Sequence, residues 1–270
     1  MTTITRTAPA VVASPRVRPA ATARHVATLA WRSLVQIKHN PMELLDLSVQ
    51  PIMFLLLFTY VFGGAIAGST GQYLQFALPG LVAQNMLFAS MTTAVGLNTD
   101  ITKGVFDRLR TLPIARSAPL AGRIVADTLK QVWAFALFLG LGLVLGFRVH
   151  TGVAGVLGAL ALLLTFALAM SWAAVLVGVT AADQEKVQIM MFSLMMPITF
   201  TSNAFVRTDT MPSWLQKWVE INPVSHLADA VRGLLSGGPV ASDAVTSLLW
   251  AAGITVVFAP LAVRAFRTRI

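Results

Sequence analysis

The chain has no cysteine, few charged residues and only four histidines. Without a thiol there is no disulfide framework, no thiolate metal site and no cysteine nucleophile, and the redox compartment leaves no mark on the sequence. His25, His39, His150 and His226 are scattered. None has a carboxylate or a second histidine at ligand spacing, which argues against a metal centre. Charged residues make up 11% of the 270 positions and hydrophobic ones 56%, with a mean hydropathy of +0.73. A soluble domain carries roughly a quarter charged residues, so water is not this chain's main solvent. Three motifs are also missing: the phosphate loop G-x-x-x-x-G-K-[ST], the zinc-protease pattern H-E-x-x-H and the nucleophile elbow G-x-S-x-G. No catalytic residue, bound cofactor or metal is therefore expected of this chain.

What is present is apolar length. Six segments, 47–65, 76–97, 131–147, 153–179, 187–206 and 244–263, contain no Asp, Glu, Lys, Arg or His. Runs of about 20 uncharged residues match a hydrocarbon core about 30 Å thick, so each is expected to be a transmembrane helix, the third bordered by Lys130. Ion-coupled carriers keep ionisable groups inside their spans. Their absence from all six segments argues against a transporter that powers itself.

The net charge of +9 invites a nucleic-acid reading. The positions of the cations refuse it, because they gather between the apolar segments as topology determinants do. Arg6, Arg16, Arg18, Arg24, Arg32, Lys38, Lys103, Arg108, Arg110, Arg116, Arg123, Lys130, Lys186, Arg264, Arg267 and Arg269 fall on one side of a six-span layout. Arg148, Arg207, Lys217 and Arg232 fall on the other. Sixteen of the 20 Lys and Arg residues thus mark the cytoplasmic side, which places both termini there in a multi-pass plasma-membrane protein.

Residues 1–23, rich in Ala, Thr, Pro and Arg, read as a disordered cytoplasmic tail rather than a secretory signal. Over 24–39, Val26, Leu29, Ala30, Ser33, Leu34 and Ile37 share one helical face and Arg24, Arg32, Lys38 and His39 the other. This is a basic amphipathic helix suited to the membrane interface. The loop Asp100 to Lys130 begins with Lys103-Gly104-Val105-Phe106-Asp107-Arg108-Leu109-Arg110, a short amphipathic helix ended by Pro113. Phe106, Leu109 and Arg110 share a face, an aromatic and arginine anchor of the kind that docks a cytoplasmic protein. The plainer alternative is a solvated loop whose arginines only fix topology.

This loop, K-G-V-F-D-R-L-R-T-L-P-I, resembles the one with which ABC-2 type permeases contact their ATP-binding subunit. A second resemblance is carried by Asn203-Ala204-Phe205-Val206-Arg207-Thr208-Asp209-Thr210-Met211-Pro212-Ser213-Trp214-Leu215, by Ile221-Asn222-Pro223-Val224-Ser225-His226, and by Asp229-Ala230-Val231-Arg232-Gly233-Leu234. Together these stretches are similar to the signature of the daunorubicin- and doxorubicin-resistance branch of that family, and the likeness covers residues 24–270. Where many relatives have Glu-Arg-Gly in the docking loop, this chain has Thr102-Lys103-Gly104, so no carboxylate stands at position 102. The resemblance implies an ABC-2 transmembrane domain over 24–270. It also implies two permease chains, as a homodimer or related heterodimer, with two ATP-binding subunits that carry ATP and magnesium. Lys103, Gly104, Phe106, Asp107, Arg108, Leu109, Arg110 and Pro113 would then form the coupling helix. Asn203, Phe205, Pro212, Trp214, Asn222, Pro223, Arg232 and Gly233 would form an extracellular re-entrant signature.

Between the fifth and sixth segments, Trp214, Leu215 and Trp218 share a helical face suited to the headgroup layer, and Asn222-Pro223 marks a break between two short helices. Gln84, Asn85, Thr92, Thr93, Ser193, Thr199, Thr201, Ser202 and Asn203 are the polar residues within the spans, of the type that bonds between packed helices. Met190, Met191, Met195 and Met196, with Asn85, are the candidates for a substrate path, since methionine adapts to varied apolar shapes. Core packing is the plainer role for them.

The expected fold is an all-α integral membrane protein with six transmembrane helices, an N-terminal amphipathic interfacial helix, and short re-entrant or interfacial helices before the last span. The expected function is the permease subunit of an ATP-driven exporter of hydrophobic drugs or amphiphilic natural products. Its partners would be an ATP-binding subunit, a second permease chain, membrane lipid and a hydrophobic small molecule, with no nucleic acid. Two alternatives stand beside this reading. One is a lipid or glycolipid exporter of the same family, and the other is a channel or ion-coupled carrier that needs no ATPase.

Overall fold

A computed structural model of the chain describes residues 41–105 and 118–269. The tail at 1–23, the interfacial helix expected at 24–39 and the docking-loop residues 106–117 lie outside them. Among the described residues all regular structure is helical. Helix α1 (Pro41–Leu57) runs through a π-helical turn, Phe58–Phe62, into the short α2 (Gly63–Ala67). Gly68, at φ +69°, reverses the chain. Ser69 caps the next helix by accepting from the Gln72 amide at 3.3 Å. That helix, α3 (Thr70–Thr102), is 33 residues long, or about 50 Å at 1.5 Å per residue. It outruns the hydrocarbon layer and carries Asp100 beyond its apolar stretch.

α4 (Ala118–Val144), α5 (Gly152–Thr180), α6 (Gln184–Phe200), a 3₁₀ turn (Thr208–Thr210), α7 (Ser213–Val219), α8 (Pro223–Ser236) and α9 (Ala241–Arg269) follow. α3 is the central post. It packs against α5, α8, α6 and α4, while α9 leans on α5 from the other side. Tyr73, Leu74, Leu78, Leu81 and Leu97 of α3 are fully buried, as are Leu163 and Phe166 of α5. With no hydrophobic force between helices in lipid, close packing and interhelical polar contacts hold such a bundle together.

Among the described residues five stretches are long and apolar enough to cross a membrane: Ser48–Ile66, Thr70–Thr102, Gly122–Val144, Gly152–Thr180 and Ala241–Phe266. The segment expected at 187–206 differs. Its helix, α6, stops at Phe200 after 17 residues, at the short end of the crossing range. The Thr201 amide closes on Pro197 O at 3.0 Å, and Ser202 to Phe205 turn inward as buried non-helical chain. The third span also differs from expectation. Its apolar helix starts at Gly122 rather than 131, because Arg123, Asp127 and Lys130 pair with one another and with α3.

Two helix ends show how the loops are set. Asp183 Oδ1 accepts from the Lys186 amide at 2.9 Å and so caps α6. This bond holds its carboxyl below the usual carboxylate range. At the end of α5, Asn98 Nδ2 donates to Gly178 O and Ala181 O, each at 3.0 Å, and Arg269 Nη1 donates to Ala181 O at 2.7 Å and also to Val179 O. Two other helices, α3 and α9, thus share the carbonyls at the end of α5. Asn98→Ala is expected to lower stability by about 1–2 kcal/mol, read as a fall in the melting temperature of the detergent-solubilised protein.

Candidate functional site

The signature residues converge where α3 begins, and a half-buried carboxylate, Asp229, organises them. Asp229 and Arg232 are three apart on α8 and form an ion pair in which Arg232 Nη1 donates to Asp229 Oδ1. Asp229 Oδ2 accepts from Asn203 Nδ2 at 2.7 Å. Arg232 spreads its other donors, from Nε to Phe76 O at 3.2 Å and from Nη2 to Asn203 O at 3.3 Å. Its guanidinium also lies 4.1 Å from the Phe76 ring centroid. One arginine therefore joins α8 to α3 and to the inward turn after α6. Arginine's planar fork allows this where lysine would not.

The neighbouring positions tighten the same junction. Phe205 O accepts from the Tyr73 hydroxyl at 3.1 Å, and the Phe205 ring stacks on Phe58 of the π-helical turn at 4.9 Å. Asn222 caps α8 through the Val224 amide at 2.9 Å and reaches back to Ile198 O at 2.7 Å. Pro223 is the first residue of α8, so the expected break between two short helices falls where the sequence placed it. Gly233 has no room for a side chain, since a Cβ there would lie 2.9 Å from Pro239 O. Pro212 and Trp214 are not drawn in. Both are exposed, Trp214 at 70%, with Trp218 beside it donating from Nε1 to Thr201 Oγ1 at 2.7 Å.

At the other end of α3 the structure corrects the expected start of the docking helix. Lys103 and Gly104 terminate α3 rather than open a new helix. The Lys103 amide bonds Thr99 O at 3.0 Å, and Gly104, at φ +64°, bonds Ile101 O at 3.0 Å. A glycine in the left-handed region is a usual helix stop. Phe106, Asp107, Arg108, Leu109, Arg110 and Pro113 lie outside the described residues.

The methionine group does not form one surface. Met191 and Met195 are buried in the core, Met190 is exposed on the far side of α6 and Met196 is half-buried, as is Asn85 on α3. A polar crevice instead opens between α3, α4 and α5, lined by Ser90, Thr93, Asp127, Thr128, Gln131 and Ser171.

Sequence reasoning passed over Asp229, Phe76, Tyr73 and Asp127. For Asp229 a signal was available, because an acid three residues before Arg232 on a short amphipathic helix is a pairing pattern. Phe76 and Tyr73 are recognisable only once α3 lies against α8. His226 likewise gains a carboxylate that its sequence neighbours do not offer. Its Nδ1 is 2.9 Å from Asp243 Oδ1 and its Nε2 2.9 Å from Glu220 O.

This arrangement is that of a helical membrane protein, with a partly buried Asn-Asp-Arg junction before its last span. The profile of the family described as "ABC-2 type transporter" matches residues 24–235. The chain is 44% identical, over 254 residues, to the daunorubicin resistance ABC transporter permease protein DrrB1 of Streptomyces coeruleorubidus, covering 93% of this chain and 90% of that protein. It is 31% identical, over 218 residues, to the probable doxorubicin resistance ABC transporter permease protein DrrC of Mycobacterium tuberculosis, covering 80% and 78%. The putative transport permease ycf38 of Cyanophora paradoxa is 26% identical over 77% of this chain and 73% of its own length. The chain belongs to the ABC-2 type transporter family, as the multi-pass permease subunit of an ABC exporter.

Proposed function

We propose that this permease exports hydrophobic or amphiphilic drugs of the anthracycline kind, driven by a separate ATP-binding subunit that docks on the loop after α3. The reading rests on one observation, the near full-length likeness to a daunorubicin resistance permease. Two permease chains and two ATP-binding subunits would complete the transporter. ATP and magnesium belong to the partner, since this sequence carries no phosphate loop.

The charge distribution supports an orientation with the loop 103–117 and both termini in the cytoplasm. Arg123, Lys186 and Arg269 belong to one end of the bundle and Arg148 to the other, where it meets Gln75 of α3. In that orientation the Asn203–Asp229–Arg232 junction closes the outer end, with α7 and α8 as the re-entrant pair, and non-helical backbone at that depth is covered by protein. The substrate would pass along α6, beside the exposed Ile189, Met190, Phe192 and Leu194. A second permease chain would form the facing wall.

The test is co-expression with the ATP-binding subunit and reconstitution of the purified pair in proteoliposomes with doxorubicin. ATP-dependent uptake is expected. Phe106→Ala or Arg110→Ala is expected to weaken complex formation by about tenfold or more, the effect of losing an interface hot spot, and to abolish substrate-stimulated ATP hydrolysis. Intact assembly in both variants would remove the docking assignment. Uptake by this chain in the absence of ATP would favour a channel or carrier.

A further inference from the structure

Between α3 and α4, just before the loop that leaves α3, lies a set of charges whose purpose topology does not explain. On α3, Thr93, Gly96 and Asp100 share one face at i, i+3 and i+7. On α4, Arg123 and Asp127 face them. Arg123 Nη1 donates to Asp100 Oδ2 at 2.6 Å, and Thr93 Oγ1 donates to Asp127 Oδ2 at 2.8 Å. These two bonds hold the helices at points two turns apart on α3.

Arg123 is built into this position. A Cβ on Gly96 would lie 1.6 Å from Arg123 Nη2, so the guanidinium occupies space that only glycine leaves. Its Nε is buried and has no hydrogen-bond partner among the described residues, although Asp127 Oδ2 is 3.9 Å away. That separation is within ion-pair range but beyond a hydrogen bond. Asp127 is one turn from Arg123 on the same helix, so it steadies the guanidinium from α4 while Asp100 holds it from α3. Asp127 is also 3.7 Å from Lys130, one turn further along α4.

We infer that Arg123 is a positioning residue for energy coupling. It latches the two helices that flank the docking loop, so that movement of the loop reaches α3 and α4 as one lever rather than being lost in the loop. Asp100 is the partner on α3, and Asp127, which accepts from Thr93, ties the same face of α4 to α3 a second time. The inference rests on the docking reading above. It adds which residues carry the movement into the bundle.

The test uses the full permease with its ATP-binding subunit in proteoliposomes, measuring doxorubicin uptake and ATP hydrolysis together. Arg123→Ala and Asp100→Asn are expected to assemble with the ATP-binding subunit yet deliver about fivefold or more fewer drug molecules per ATP, the lower range of coupling between linked sites. Gly96→Ala, which displaces the guanidinium without removing a charge, is expected to do the same. The exchanged pair Asp100→Arg with Arg123→Asp is expected to restore at least half the ratio. A purely structural role would lower yield and melting temperature and leave drug per ATP unchanged. A wild-type ratio in Arg123→Ala, or an exchanged pair no better than Arg123→Ala, overturns the latch.

A second measurement needs neither drug nor partner. The chain has no cysteine, so spin labels at Thr102→Cys and Val125→Cys report the distance between the helix ends unambiguously. Arg123→Ala is expected to broaden that distance distribution, and an unchanged distribution overturns the latch. Loss of wild-type assembly or uptake, with broadening still seen, would overturn the docking reading and leave the latch standing.

Discussion

Asp229→Ala is expected to destabilise the protein by about 1–3 kcal/mol, because it leaves the largely buried Arg232 guanidinium without its half-buried carboxylate. Asp229 anchors both Arg232 and Asn203, so the loss reaches α8 and the inward turn after α6 together. Asn203 Oδ1 already lacks a partner among the described residues. Removing Asp229 would leave its Nδ2 unpaired as well. The measurement is the melting temperature and monodispersity of the solubilised protein. The double variant Asp229→Ala with Arg232→Met is expected to recover much of the loss, since two apolar residues leave no charge stranded. Equal damage in the single and double variants would show that the junction is not held by this pair.

Gly80→Ala is expected to be as damaging, by about 2–3 kcal/mol or more, although it adds a single methyl group. The added Cβ would lie 2.2 Å from Ala204 O and 2.7 Å from its Cα, both backbone atoms that cannot swing aside. The clash falls where the chain after α6 presses on α3, so relief requires Ser202 to Phe205 to leave their buried seat. Gly140→Ala on α4 is the control. Nothing lies within 4 Å of a Cβ there, so its effect is expected to stay within about 0.5 kcal/mol, or to be mildly stabilising through better helix propensity. Thermal unfolding of the two variants side by side decides the matter.

Both predictions concern contacts that the sequence only half discloses. The helical character was legible throughout, because a long uncharged run has no stable alternative in lipid. The break at Asn222-Pro223 was legible too, since proline at the first helical position after an asparagine cap is a local device. The end of α6 was not. The segment 187–206 is uniformly free of charge, so charge did not separate the helix from the turn that follows, and the turn-type residues Thr201, Ser202 and Asn203 read as polar residues within a span. That turn exists because Asn203 and Phe205 have partners on α8 and α3, the Asn203 amide meeting Ser225 Oγ at 3.4 Å and Phe205 O meeting Tyr73. The third span hid its start for a related reason. Lys130 read as its border, whereas in the fold it lies 3.7 Å from Asp127 within one continuous helix that begins at Ala118.

The site divides in the same way. Asn203 and Arg232 meet through the Asn203 carbonyl, Gly233 packs against Pro239, and Pro212 and Trp214 stay on the surface. The methionines at i and i+4, Met191 and Met195, point into the core, which separates them from Met190.

What the sequence determined by itself was the solvent, the secondary structure, the charge asymmetry and the family, because each depends on the identity of residues within one helix or one loop. What only the tertiary structure decided was which polar groups stay buried. Asp229 with Asn203, Arg232 with the Phe76 carbonyl, Asn98 with the end of α5, and Arg123 with Asp100 are held in place because another segment supplies the partner. A buried charge or amide is costly until its partner arrives, and that partner can be more than 80 residues away in the chain, as Ala181 is from Asn98.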